Sequence, residues 1–132
     1  MALLMLFLVA AAQPLLADNT YTLYRAGTPV AIDGRLDEPA WVAAPAVGAF
    51  EFPWWNEGKK EQTAAKLLWD DENLYLLFIC QDAHIWAEHT ERDGAVHRDD
   101  CVEVFTAPNP EQPQNYFNIE MNALGVFLDQ HH

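Results

Sequence analysis

The sequence has little positive charge. Its 132 residues contain 7 Lys and Arg against 20 Asp and Glu, which gives a formal net charge of -13. Such a surface repels phosphate backbones, so we expect no nucleic-acid partner. It also repels anionic lipid, so we expect no membrane partner once a leader has been removed. Neutral sugars and divalent cations remain compatible with this charge, and so does a plain solvated acidic surface.

Cysteine is equally scarce. The sequence contains only Cys80 and Cys101, too few for a Cys-rich zinc site. Both fall in predicted strands, where they would be either a disulfide or two small buried hydrophobic residues. Both alternatives stay open from the sequence.

No Lys or Arg occurs before Arg25, and residues 1–17 are mostly apolar. An apolar core of roughly a dozen residues is short for a bilayer span and is typical of a signal peptide. Leu15 and Ala17 suit export cleavage after Ala17, although the usual basic segment is absent. We therefore expect a signal peptide at 1–17, a domain at 18–132 and a secreted or periplasmic location; an uncleaved anchor is the alternative.

Short apolar runs bounded by turn residues predict an all-β fold. A helix is expected to start near Asp37, with Asp37 as its cap and Pro39 in its first turn. The run at 74–80 is apolar throughout, as in a strand buried on both faces, and it forms a hairpin with 63–69. The predicted strands cover residues 28–32, 47–52, 63–69, 74–80, 101–106, 115–122 and 126–129.

Polar and apolar residues alternate over residues 115–122. Asn118 and Glu120 therefore share one face, and Glu103 lies on a neighbouring strand that we expect to pair with this one. Carboxylates and amides suit sugar hydroxyls, which both donate and accept hydrogen bonds. The alternative is the ordinary solvent face of a half-buried sheet.

A long polar connection spans residues 82–99, and such loops are usually functional. Trp86 in this loop, like Trp54 and Trp55 in an earlier one, is a candidate for stacking on a sugar or for closing the core. The acidic residues of this region predict a calcium site, with solvated acids as the alternative. They are Asp82, Asp93, Asp99 and Asp100.

Four segments in one order resemble the family 9 carbohydrate-binding modules and their relatives, over roughly residues 28–130. They are IDGRLDEPAW at 32–41, WDDENLY at 69–75, DDCVEVF at 99–105, and YFNIE with NALG at 116–125. The resemblance implies a jelly-roll-like β-sandwich of antiparallel strands. Since domains of that family are longer, it also implies that the chain is incomplete at its C-terminus and lacks a second binding aromatic residue.

The resemblance further implies binding of the ends of glucan or xylan chains, structural calcium and a place in secreted glycoside hydrolases. Sugar-binding members have a tryptophan six residues before the glutamate that matches Glu103, and His97 occupies that position here. The sugar-binding residues are thus expected to be His97, Glu103, Asn118, Glu120 and Trp86. The calcium ligands are expected to be Asp82, Asp99 and Asp100.

We therefore predict non-catalytic binding of an oligo- or polysaccharide in extracellular polysaccharide breakdown, with no catalytic residue. Three alternatives remain. Glu103 and Glu120 are the kind of carboxylate pair that a glycoside hydrolase uses. Met121 and His97 are the axial ligand types of haem-binding relatives. A structural module would bind no ligand.

Overall fold

Two three-stranded sheets form an all-β sandwich in the computed structural model, which describes residues 20–53 and 55–132. The predicted signal peptide and Trp54 lie outside the described residues. The elements are β1 Tyr24–Arg25, α1 Pro39–Ala43, β2 Thr63–Trp69, β3 Leu74–Cys80, β4 Cys101–Thr106, β5 Phe117–Asn122 and β6 Phe127–His131, with a 3-10 turn at Val96–Arg98.

The first sheet has the order β1-β2-β3. The predicted hairpin is confirmed: β2 and β3 pair antiparallel from Thr63 opposite Cys80 to Trp69 opposite Leu74. Its turn is fixed by Asp70, whose Oδ1 accepts from the backbone N–H groups of Glu72 and Asn73 at 2.9 and 2.8 Å. Strand β1 pairs with β2 in parallel, a departure from the expected all-antiparallel arrangement.

The second sheet is a meander with the order β4-β5-β6, in which both pairs are antiparallel. The prediction of strands at 101–106, 115–122 and 126–129 is confirmed to within two residues at each end. The turn between β5 and β6 places Gly125 at φ 76°, a conformation that suits glycine.

The small hydrophobic core lies beside the first sheet. Trp41 of α1, Ala44 and Leu68 of β2 are buried there. Helix α1 begins at Pro39, as predicted, but its N-cap is Glu38 and no side chain caps it, so the prediction for Asp37 was wrong. Lys66 of β2 donates a 2.7 Å hydrogen bond to the carbonyl of Trp41 and so holds the helix against the sheet.

Two predicted strands are not formed. Residues 28–32 form no strand, because Pro29 has no N–H to donate and Ala31 donates instead to Glu38 Oε1. Residues 47–52 form no strand either, although Val47 donates to the carbonyl of Ala65 at 2.8 Å.

The expectation that β3 is buried on both faces was also wrong. The strand is at the edge of its sheet, and none of its residues is fully buried. Trp69 keeps 37% of its surface exposed at the end of β2. The apolar surface of this sheet is therefore only partly covered within the described residues.

Candidate functional site

The register of the second sheet brings the predicted polar residues together. Glu103 of β4 lies directly opposite Glu120 of β5, and Phe105 lies opposite Asn118. Directly opposed residues point to the same face of an antiparallel pair. Glu103, Phe105, Asn118 and Glu120 therefore share one face, which we call the acceptor face.

The acceptor face is not the open solvent face that the alternation suggests. Asn118 and Glu120 each retain only 7% of their accessible surface, whereas their apolar neighbours on β5 are half-buried or exposed. The alternation is thus confirmed, but the more deeply buried residues are the polar ones. Glu103, on the neighbouring strand, is exposed.

Two buried oxygen atoms on this face have no hydrogen-bond donor. Asn118 Nδ2 donates to Glu120 Oε1 at 3.2 Å, but Asn118 Oδ1 and Glu120 Oε2 have no partner. Because an unsatisfied buried polar atom costs about 1–3 kcal/mol, two of them side by side need an explanation. Together with the Glu103 carboxylate they form a group of acceptors that lacks donors.

The far end of the acceptor face is closed by the 3-10 turn Val96–Arg98, which packs against β4 and β5. Val96 is fully buried and anchors this turn. His97 is exposed on it, so the residue in the family's tryptophan position projects from an element that borders the face. The structure thus places His97 close to the strands that carry Glu103 and Glu120.

Asn122 ties the long loop to the sheet. Its Nδ2 donates to the carbonyl of His89 and to Asp99 Oδ2, both at 2.8 Å, and its Oδ1 accepts from the N–H groups of Leu124 and Val126. The side-chain hydrogen-bonding capacity of Asn122 is therefore used entirely inside the protein. The role of Asn122 in the NALG segment is therefore to anchor the loop to the sheet.

The Asp99 carboxylate is part of the same anchor. His89 reaches it through Nδ1 at 2.8 Å and through its backbone N–H at 3.1 Å. Burial by itself raises the pKa of Asp99, but the hydrogen bonds from His89 and Asn122 outweigh this effect and lower the pKa to about 2. Asp99 is thus held as a carboxylate by protein donors.

Those donors make Asp99 a poor fit to the predicted calcium site, since both of its oxygens already accept N–H groups. Asp82 accepts from the N–H of His84 at 2.7 Å, and Asp100 from the N–H of Trp86 at 2.6 Å. Among the described residues, no group of three or more His, Cys, Asp or Glu is arranged to hold a metal ion. Calcium binding by Asp82, Asp99 and Asp100 stays a prediction.

Trp86 is held next to β4 by its backbone. Its N–H donates to Asp100 Oδ2, and its carbonyl accepts from the N–H of Asp100 at 2.9 Å. Its side chain is half exposed. Trp86 therefore lies at the same closed end of the second sheet as His97 and keeps a ring surface available for stacking.

The opposite face of the second sheet borders a cavity of about 920 Å³ between the two sheets, lined by Trp55, Phe78, Val102 and Met121 among others. The register of β4 and β5 puts Met121 on the other face from Glu120 and Asn122, and His97 is not part of the cavity lining. The two residues considered as haem ligands therefore do not line this cavity together.

Cys80 and Cys101 both line this cavity as free, exposed thiols, so neither a disulfide nor burial describes them. Partial desolvation of the thiol raises the pKa of Cys101, and the charges of Glu120 and Glu103 raise it further. Within residues 20–53 and 55–132, no helix has the length and apolarity needed to cross a membrane.

Comparison with known protein families identifies the family of this chain. The carbohydrate family 9 binding domain-like family matches residues 32–131, about three quarters of the chain. The chain belongs to this family. Comparison with curated proteins and with solved structures finds no match. Membership confirms the resemblance seen in the sequence, together with the all-β fold, and identifies the domain as one of a carbohydrate-binding type. Modules of this type are usually non-catalytic.

Sequence reasoning missed two features of this region. It did not predict Val96 as the anchor of the turn, because a single valine in a polar loop carries no periodicity. It also assigned no role to Phe105 and Tyr116, whose rings lie 5.8 Å apart. Phe105 is two residues from Glu103, and Tyr116 is two residues from Asn118. The predicted strand pairing therefore already placed both rings on the face of these polar residues.

Proposed function

We propose that the domain binds a neutral glucan- or xylan-type oligo- or polysaccharide on the acceptor face. Glu103, Asn118 and Glu120 would accept hydrogen bonds from sugar hydroxyls, and His97 and Trp86 would border the ligand at the closed end. The domain would hold the sugar without cleaving it.

The observation that carries this proposal is the exposed Glu103 carboxylate, which lies directly opposite Glu120 on a face that also holds Asn118 and the exposed ring of Phe105. A ligand of this face must supply hydrogen-bond donors, and a sugar supplies several O–H groups in fixed relative positions. A charged acceptor such as Glu103 or Glu120 makes the stronger kind of hydrogen bond with such hydroxyls. An anionic ligand would instead be repelled by the two carboxylates and by the net charge of -13.

Family membership supports the general class of ligand, and the resemblance to glucan- and xylan-binding members suggests the specific one. The apolar run at 1–17 supports export. We therefore place the domain outside the cytoplasm, in the breakdown of extracellular polysaccharide. Its own contribution there would be to keep an enzyme close to an insoluble or dilute substrate.

The test is calorimetric titration with cellohexaose and xylohexaose, comparing wild type with Glu103→Ala. We expect the variant to bind at least tenfold more weakly, because a hydrogen bond to a charged group contributes about 1.5–3 kcal/mol. Glu103 is exposed and opposes a like charge, so its removal should not unfold the domain. Glu72→Ala, in the turn of the other sheet, is the matched control.

Unchanged affinity in Glu103→Ala would exclude the acceptor face as the binding site. Failure of the wild type to bind either hexasaccharide would refute the proposed ligand class. A parallel assay for new reducing ends distinguishes binding from hydrolysis by the Glu103–Glu120 pair, and we expect no release of sugar.

A further inference from the structure

A pair of aromatic rings lies along the acceptor face, beyond its two carboxylates. Phe105 is 58% exposed, and its ring lies 5.8 Å from that of Tyr116. Tyr116 precedes β5, but it continues the ladder by exchanging two backbone hydrogen bonds with His132, at 3.3 and 2.9 Å. Its ring also stacks on that of His132, with 4.7 Å between centroids.

These rings share the face of the donorless acceptors. Phe105 is directly opposite Asn118, and Tyr116, two residues before Asn118, has the same alternation. The ring contact between Phe105 and Tyr116 is possible only if both point to one side. Phe117 pairs with His131 at 4.8 Å, as expected for residues on the other side.

The order of groups along the sheet defines a direction. The closed end is at Asn122, the carboxylate pair Glu103–Glu120 follows, and then come Asn118 and Phe105. A strand rise of about 3.4 Å per residue places Phe105 about 7 Å from Glu103, and Tyr116 about 14 Å from Glu120. Asn118 thus lies beside the exposed ring of Phe105, two residues along the strands from the carboxylates of Glu103 and Glu120.

We propose that Phe105 and Tyr116 form a second sugar subsite, so that the domain binds several consecutive residues of a polysaccharide chain running along β4 and β5. This inference rests on the proposed function. Tyr116 is half-buried and held by His132, so its ring is ordered before the ligand arrives, while Phe105 offers the free apolar surface. Rings that are already ordered lose little conformational entropy on binding.

The experiment compares a long and a short ligand by calorimetry, using cellohexaose against cellobiose and xylohexaose against xylobiose. In the wild type we expect the hexasaccharide to bind about tenfold more tightly than the disaccharide. Phe105→Ala should remove this advantage and leave disaccharide affinity unchanged. Phe105→Trp, with a larger ring, should retain or increase the advantage.

The matched control is Phe117→Ala, which removes a similarly exposed ring from the neighbouring strand on the opposite face. It should leave both affinities unchanged. If Phe105→Ala binds the hexasaccharide as tightly as the wild type, the second subsite does not exist, although the proposed function stands. If Phe105→Ala weakens both ligands equally, the ring is not a separate subsite. If the wild type binds no sugar, the proposed function itself fails.

Discussion

Glu120→Gln should make the domain more stable and bind sugar less well. The native Glu120 carboxylate is 7% exposed, accepts one hydrogen bond from Asn118 at 3.2 Å, and leaves Oε2 without a donor. It also lies opposite the like charge of Glu103. Glutamine keeps the shape and one acceptor, removes the charge and adds an N–H donor beside two acceptors, Asn118 Oδ1 and the Glu103 carboxylate.

The size of the effect follows from the cost of unsatisfied buried groups, about 1–3 kcal/mol each. Relief of one such group, less the imperfect geometry of a new bond, should raise the free energy of unfolding by about 1–2 kcal/mol. For a domain of this size, that is an increase in Tm of roughly 5 °C. The affinity for cellohexaose or xylohexaose should fall at least tenfold, because a charged acceptor is lost.

Urea unfolding followed by tryptophan fluorescence measures the stability, and calorimetry measures the binding. Glu111→Gln is the matched control, since Glu111 is exposed in the loop between β4 and β5 and its change should stay within about 0.5 kcal/mol. A Glu120→Gln variant that is no more stable than the wild type would show that the buried carboxylate is already compensated, and the reasoning from donorless acceptors would fail.

Three further predictions concern the anchor and the thiol. Asn122→Ala should lower the free energy of unfolding by about 3 kcal/mol in urea titrations, because it removes one donor to the Asp99 carboxylate, the side-chain donor to the His89 carbonyl and the acceptor of two backbone N–H groups; Asn115→Ala, whose one side-chain bond is exposed, should change little. The pKa of Asp99 falls from 3.8 to about 2 on folding. Its stabilising contribution is therefore complete above about pH 4 and is lost as the pH falls through 2, so the unfolding free energy of the wild type should drop over this range more steeply than that of Asp99→Asn. Neutralising Glu120 removes a charge that raises the pKa of Cys101, so Glu120→Gln should speed alkylation of the Cys101 peptide by iodoacetamide at pH 8, measured by mass spectrometry; an unchanged rate would contradict this contribution.

The local parts of the fold were predictable from the sequence. The hairpin follows from two apolar runs around Asp70, whose side chain caps the turn, and the meander follows from alternation and turn residues in the second half. The segments at 28–32 and 47–52 were not predictable as coil, because their composition suits strands and only the absence of a partner strand decides the outcome.

The pairing of Glu103 with Glu120 was predictable in part, because adjacent strands with polar alternation bring such residues onto one face. The burial of Glu120 was not. The turn at 96–98 packs against β4 and β5, and its buried residue is a valine whose neighbours in sequence are mostly polar. The two-residue period of a strand determines which residues share a face, but tertiary packing determines which face is covered.

Asn118 and Asn122 provide an internal comparison that separates structure from function on this face. Both are asparagines of β5, both point to the same side, and they keep 7% and 3% of their surface exposed. Asn122 satisfies both its amide oxygen and its amide nitrogen within the protein, whereas the oxygen of Asn118 has no donor. Burial alone therefore does not leave an asparagine of this strand unsatisfied. On β5 the deficit is confined to the stretch beside Glu103, Glu120 and the exposed Phe105 ring, the stretch at which we propose that a ligand rich in O–H donors binds.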